Sequence, residues 1–80
     1  RQLAIDLAPE VRVNAVAPGP VLSPDHYSNK IRERIANRTL LKRWGNPEDV
    51  ARAVLFLIDS DYITGEHITV DGGERYGSNQ

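Results

Sequence analysis

At 80 residues, 40% hydrophobic and 26% charged, the sequence has the composition of ordinary globular protein, which excludes disordered and fibrous classes. A formal charge of -1, from ten Lys plus Arg against eleven Asp plus Glu, gives no general electrostatic reason to bind nucleic acid. The absence of cysteine excludes disulfides and thiolate metal sites, and no apolar run approaches the ~18 residues of a transmembrane helix.

A domain this short buries only about 60% of its unfolded surface, so its stability is marginal unless something braces it. His26 and His67 are too few and too far apart to suggest a metal cluster. The start RQLAIDLAPE lacks the charged and apolar regions of a signal peptide, so the expected compartment is the cytoplasm. Position 1 is Arg and no Met occurs anywhere; the opening reads as the middle of a helix, and the expectation is a piece of a longer protein.

In residues 1–8, Leu3, Ala4, Leu7 and Ala8 share a helical face, and Pro9 ends the helix. Residues 11–17, VRVNAVA, are valine-rich and apolar on both faces except at Arg12 and Asn14, the pattern of an interior parallel strand covered on two sides. The strand runs into Pro18, Gly19, Pro20, Val21, Leu22, Ser23 and Pro24. Proline fixes φ and lacks an N–H, and Gly19 lets another group approach the backbone, so the bend is a stiff wall whose next available N–H is that of Val21. In open α/β sheets ligands sit outside the carboxyl ends of strands, which is where this wall falls. Two readings stand on the residues alone: a ligand wall, or a strand-terminating turn. Ser23 likewise offers its hydroxyl to a ligand or caps a helix beginning near Asp25.

Residues 25–38 place Tyr27, Ile31 and Ile35 on a narrow apolar stripe of a mostly solvated helix. Lys30, Arg32, Arg34, Arg38, Lys42 and Arg43 give a local basic bias, which helical spacing scatters around the cylinder; a nucleic-acid binder on residues 30–43 is the weaker reading of it. The connector 39–45 carries the only tryptophan, Trp44, read as a packing or subunit contact, as are Tyr62 and Tyr76. A helix over 47–59 follows, with Asn46 at its N-cap, Pro47 at its first position, and Glu48 and Asp49 against the dipole. Its body is apolar on nearly every side except at Arg52, as expected for a helix packed on a sheet and on a second subunit. EHITV, 66–70, alternates as a strand, and Asp71, Gly72 and Gly73 end it in a turn; a single carboxylate is far short of a cation loop. The tail ERYGSNQ, 74–80, is polar and expected to fray at its end. Two strands separated by long helical crossovers predict an α/β fold with a parallel sheet.

No Gly-x-Gly-x-x-Gly and no Ser, His and acid arrangement with credible nucleophile geometry occurs, so the mechanism is not visible in these residues. Three blocks carry more: VRVNAVAPGPV, RWGNPEDVARAVLFL and ITGEHITVDGG, in order over 11–73, resemble the C-terminal part of the short-chain dehydrogenase/reductase family. The resemblance implies a single NAD(P)-binding Rossmann-type domain, a doubly wound parallel sheet, of which residues 1–80 form the last two strands and their helices.

It further implies that Pro18 and Gly19 stand beside the nicotinamide, that the main chain of Val21 meets the carboxamide, and that Ser23 takes the place of a Thr contacting the carboxamide or pyrophosphate. Residues 22–40 would be the substrate-binding loop and helix, with Leu22, Asp25 and Tyr27 as substrate contacts. The catalytic Ser, Tyr and Lys are implied on a segment preceding Arg1, so no catalytic residue is assigned within the sequence. The cofactor implied is NADP(H) or NAD(H), the choice being set outside these residues. Loop residues in LAPEVRVNAVAPGPVL and TLLKRWGNPEDVARAVLFL are most similar to bacterial pteridine reductases, which implies NADPH-dependent reduction of a dihydrobiopterin-like or dihydrofolate-like ring. A generic carbonyl or 3-oxoacyl reductase is the alternative, and a catalytically inactive cofactor-binding or structural subunit is the alternative of another class. The partners implied are a small-molecule substrate and a second copy of the chain, in a homotetramer or dimer formed through helix 47–59 and strand 66–70, with neither nucleic acid nor membrane.

Overall fold

The computed structural model describes residues 1–77, so the end of the tail expected to fray lies outside the described residues. Six elements follow one another: α1 (Gln2–Leu7), β1 (Ala15–Pro18), α2 (Asn29–Arg38), α3 (Pro47–Asp59), β2 (His67–Val70) and α4 (Glu74–Gly77). The order is helix, strand, helix, helix, strand, as the sequence indicates, followed by the short helix α4 at the start of the polar tail.

The strands pair in parallel, with Ala15 opposite His67 and Pro18 opposite Val70. Strand β1 starts four residues later than the expected 11–17 because residues 12–14 bond to the segment after α3 and not to a strand. The N–H of Val13 donates to Thr64 Oγ1 at 3.0 Å, and the Val13 carbonyl accepts from Gly65 N–H at 2.8 Å. Arg12 and Asn14, the two polar residues that interrupt the apolar pattern, account for the rest. The Arg12 guanidinium donates to the carbonyls of Leu57, Ile58, Ser60 and Ile63 at 2.9–3.3 Å, tying the last turn of α3 to the segment that follows it. Asn14 donates to Ile63 O at 3.1 Å and accepts from Glu66 N–H at 2.9 Å. Between them they fix where α3 ends and where β2 begins.

Helix α1 ends ahead of Pro9, whose ring forces Ala8 into extended backbone at φ -70°, ψ 149°. Helix α3 has the expected limits. The Asp49 carboxylate accepts from Asn46 N–H at 2.7 Å, and Asp49 N–H donates to the Asn46 carbonyl at 2.9 Å, closing the first turn reciprocally. Asp71, at the end of β2, repeats the device on a smaller scale: its carboxylate accepts from Gly73 N–H at 2.9 Å and Arg75 N–H at 3.1 Å and starts α4.

The radius of gyration is 15.5 Å, against about 12 Å for a compact domain of this length, and the extents are 48 × 25 × 19 Å. Burial explains the difference. Ala4 and Leu57 are the buried apolar residues among those described, and Thr39 is the buried polar one. Leu55, Phe56 and Ile58 of α3 remain more than half exposed, as does Tyr62 just beyond it. Parallel sheets are normally covered on both faces, and here β1 and β2 are only half-covered.

Candidate functional site

The carboxyl end of β1 is built around Gly19. Its N–H extends the ladder by donating to Val70 O at 2.9 Å. A Cβ placed on it would lie 2.6 Å from Asp71 Cβ and 2.7 Å from Asp71 Cα. The group that approaches Gly19 is therefore the protein's own second strand, and the absence of a side chain there is a requirement of sheet packing. Pro20 is buttressed from the opposite side, its carbonyl accepting from Gly45 N–H at 2.8 Å. Between these two fixed points the chain has little freedom, and the wall expected from Pro18, Gly19 and Pro20 is rigid because the turn before α3 holds it.

Val21 is the first residue past this clamp. Among the described residues nothing accepts from its N–H and nothing donates to its C=O, although the residue is half-buried. A half-buried peptide group with both functions open is the kind of backbone that ordinarily finds a partner. An amide ligand, with one acceptor oxygen and one donor nitrogen, is complementary to such a pair.

Ser23 is placed differently from the expectation of a helix cap. Helix α2 begins at Asn29, and the hydroxyl that caps it belongs to Ser28, which accepts from Ile31 N–H at 3.2 Å. Residues 25–28 form a turn in place of the expected first helical turn, because Ser28 and not Ser23 stands at the capping distance. Ser23 Oγ instead accepts from Arg32 Nε–H at 2.8 Å.

A groove of about 720 Å³ opens along the bend. It brings together Pro18, Gly19 and Val21 of the expected cofactor set with Leu22 and Tyr27 of the expected substrate set. Ser23 and Asp25 do not line it: Ser23 faces Arg32, and Asp25 is exposed in the turn. The groove is completed by Ile35, Arg38, Trp44 and Glu74, which sequence reasoning did not place there. Ile35 lies on the apolar stripe of α2, so half its signal was present; Trp44 and Glu74 arrive by tertiary folding alone. The Trp44 indole N–H is satisfied by Arg32 O at 3.0 Å, leaving its ring as groove lining.

A smaller cavity of about 240 Å³ is lined by Pro20, Val21, Arg43, Asp49 and Asp71. Both its carboxyls are held below the usual Asp range. For Asp49 the principal cause is the hydrogen bond from Asn46 N–H, with Arg43 and Arg52 adding to it. For Asp71 partial burial opposes the shift, but the N–H groups of Arg75 and Gly73 outweigh it. The basic bias of residues 30–43 is partly consumed within the chain. Arg32 serves Ser23, Arg43 reaches Trp44 O and Asp49, and Lys42 Nζ donates to Asn37 O at 2.9 Å. No helix among the described residues is long and apolar enough to cross a membrane.

Comparison with known proteins extends the geometry. The family model described as "Enoyl-(Acyl carrier protein) reductase" matches residues 1–74. The chain is 48% identical to the short-chain dehydrogenase/reductase SDRA of Arabidopsis thaliana, over 91% of this chain and 31% of the relative. It is 46% identical to a 3-oxoacyl-[acyl-carrier-protein] reductase of Thermotoga maritima, over 79% of this chain and 27% of the relative. A dihydromonapterin reductase of Escherichia coli is 36% identical, over 94% of this chain and 31% of the relative. Among solved structures, a small-chain dehydrogenase in complex with NADPH superposes with a TM-score of 0.79 at 34% identity, over 91% of this chain and 36% of its own length. The chain thus spans about a third of the length of the proteins it matches.

Proposed function

The chain belongs to the short-chain dehydrogenase/reductase family, and on that premise we propose that these residues form the nicotinamide end and the substrate wall of an NADPH-dependent reductase. The observation that carries the reading is the open peptide group of Val21 at the head of an apolar groove, on a chain 34% identical to a dehydrogenase solved with NADPH.

The residues fit such a cofactor. Val21 offers an N–H and a C=O to a carboxamide, and Pro18 and Pro20 stiffen the backbone that lines the groove beside it, so little ordering is left to binding. Ser23 takes no part in this contact: its Oγ accepts from Arg32 Nε–H and its O–H donates to Pro24 O at 3.3 Å, and it does not line the groove. NADPH, when bound, supplies the hydride. Leu22, Tyr27, Ile35 and Trp44 give the side where a substrate would lie an apolar lining. The proton donor and the oxyanion stabiliser of the reaction are assigned by this reading to residues outside the chain described here.

The substrate we assign is a carbonyl compound of the 3-oxoacyl type, supported by the relative at 46% identity. A pterin substrate is the second reading, supported by the dihydromonapterin reductase at 36%. The exposed Leu55, Phe56 and Ile58 of α3 support the further proposal that the whole protein self-associates through α3 and β2, which sedimentation of the full protein would test.

The experiment is NADPH oxidation by the full protein, with a 3-oxoacyl thioester beside dihydrobiopterin and with NADH as the second cofactor. Turnover of the thioester is expected. Turnover of the pterin alone would replace the substrate assignment, NADPH binding without oxidation of either would favour an inactive cofactor-binding subunit, and no binding at all would sink the reading.

A further inference from the structure

The mechanism above leaves Arg32 unused, although no other side chain ties together as many parts of the groove. Its Nε–H donates to Ser23 Oγ at 2.8 Å, one terminal nitrogen donates to Asn29 Oδ1 at 3.2 Å, and the other reaches the Asp25 carbonyl at 3.5 Å. Its own carbonyl accepts from the Trp44 indole at 3.0 Å. A guanidinium is a planar fork of five N–H donors, so it can hold several acceptors in one fixed arrangement where an ammonium acts as a point charge.

What it holds is a loop with no secondary structure of its own. Leu22, Pro24 and Tyr27 line the groove, while the Ser23 hydroxyl and the Asp25 backbone carbonyl, between them in the chain, meet Arg32 as a latch. Trp44, on the facing wall, is bonded to the backbone of the same arginine. We propose that Arg32 is a positioning residue: bonded to Ser23 and the Asp25 carbonyl, it fixes Leu22 and Tyr27 opposite Trp44 and so sets the width of the substrate end of the groove.

The inference rests on the reading of the groove as a substrate site. Its test is a double-mutant cycle in the full protein, with Arg32→Ala, Ser23→Ala, both together, and Arg32→Lys. The substrate KM is followed with whichever of the two substrates is turned over, and the NADPH Kd is followed by fluorescence titration. Losing a hydrogen bond to a charged group should raise substrate KM about three- to tenfold in Arg32→Ala, with NADPH Kd changed far less, a split that general destabilisation would not produce. The double variant should show a substrate KM no worse than the poorer single one, and Arg32→Lys, which keeps a donor, should recover part of the loss.

Equal rises in KM and Kd for Arg32→Ala, or additive effects of the two substitutions on KM, would overturn the latch while leaving the reductase reading intact. If the wild-type protein turns over neither substrate, the reductase reading falls, and the latch is then decided by limited chymotrypsin digestion. Cleavage after Tyr27 should be faster in Arg32→Ala, and faster by a smaller factor in Ser23→Ala, which leaves the Asp25 bond in place; unchanged cleavage in Arg32→Ala would remove the latch as well.

Discussion

The two ends of β1 are opposites in how they treat polar groups. At the amino end Arg12 and Asn14 spend their polar atoms on the protein's own backbone, on four carbonyls around the end of α3 and on the Glu66 N–H. At the carboxyl end the side chains are proline, glycine, valine and leucine, and among the polar groups left open is the half-buried backbone of Val21. The conspicuous polar residues of the strand are thus structural, and the bland stretch beside them holds the candidate site. A ligand that must be held by an amide is met by backbone, which carries a donor and an acceptor at fixed spacing whatever the side chain.

The contrast can be broken or sharpened by substitution in the full protein, and the largest effect is expected at Gly19. In Gly19→Ala the added methyl meets the Asp71 backbone, which cannot rotate away, so β1 and β2 must separate beyond Pro18. A loss of about 2–3 kcal/mol in denaturant unfolding is expected, together with weakened NADPH binding because the wall moves. Unchanged stability would mean that the close approach is not a constraint.

At the opposite end, Arg12→Ala removes one donor from each of four carbonyls and should cost about 1–2 kcal/mol with NADPH Kd unaffected. Arg12→Lys should restore only part, since a point charge cannot serve four acceptors in the same geometry. A change in cofactor affinity here would erase the distinction between the two ends.

Val21→Pro removes one N–H and, among the described residues, breaks no internal hydrogen bond. The NADPH Kd should rise about tenfold with little change in the unfolding midpoint. An unaltered Kd would return the bend to the status of a simple turn.

The smallest effect concerns acid. Asp49 has a lowered pKa in the folded chain, so its contribution to stability is fully present above the ordinary Asp value of about 3.9 and is lost as pH falls through the lowered one. The wild-type protein should lose stability in that window below about pH 4, and Asp49→Asn should flatten the corresponding part of the profile. Identical acid profiles for the two proteins would show that the Asn46, Arg43 and Arg52 contacts do not act on the carboxylate in solution.

Helix α3 was legible residue by residue. Asn46, Pro47 and Asp49 write a helix start in local chemistry that needs no partner elsewhere, and the structure keeps the expected limits of 47–59. The limits of β1 and α2 were not legible to the same degree. Valine content alone extends β1 back to Val11, but the bonds of Val13 and Asn14 go to residues about fifty positions away. The cap of α2 is likewise settled by tertiary structure: the Ser28 hydroxyl accepts from Ile31 N–H, while that of Ser23 is held by Arg32.

By itself the sequence determined the α/β order, the parallel pairing and the stiff bend after the first strand, because proline geometry, capping chemistry and apolar periodicity act over a few residues. Only the tertiary structure decided that Asp71 is what presses on Gly19, that Ile35, Trp44 and Glu74 close the groove, and that Ser23 turns away from it toward Arg32. Those outcomes depend on contacts between segments far apart in the chain, and whether such segments meet is set by packing, which no local propensity encodes.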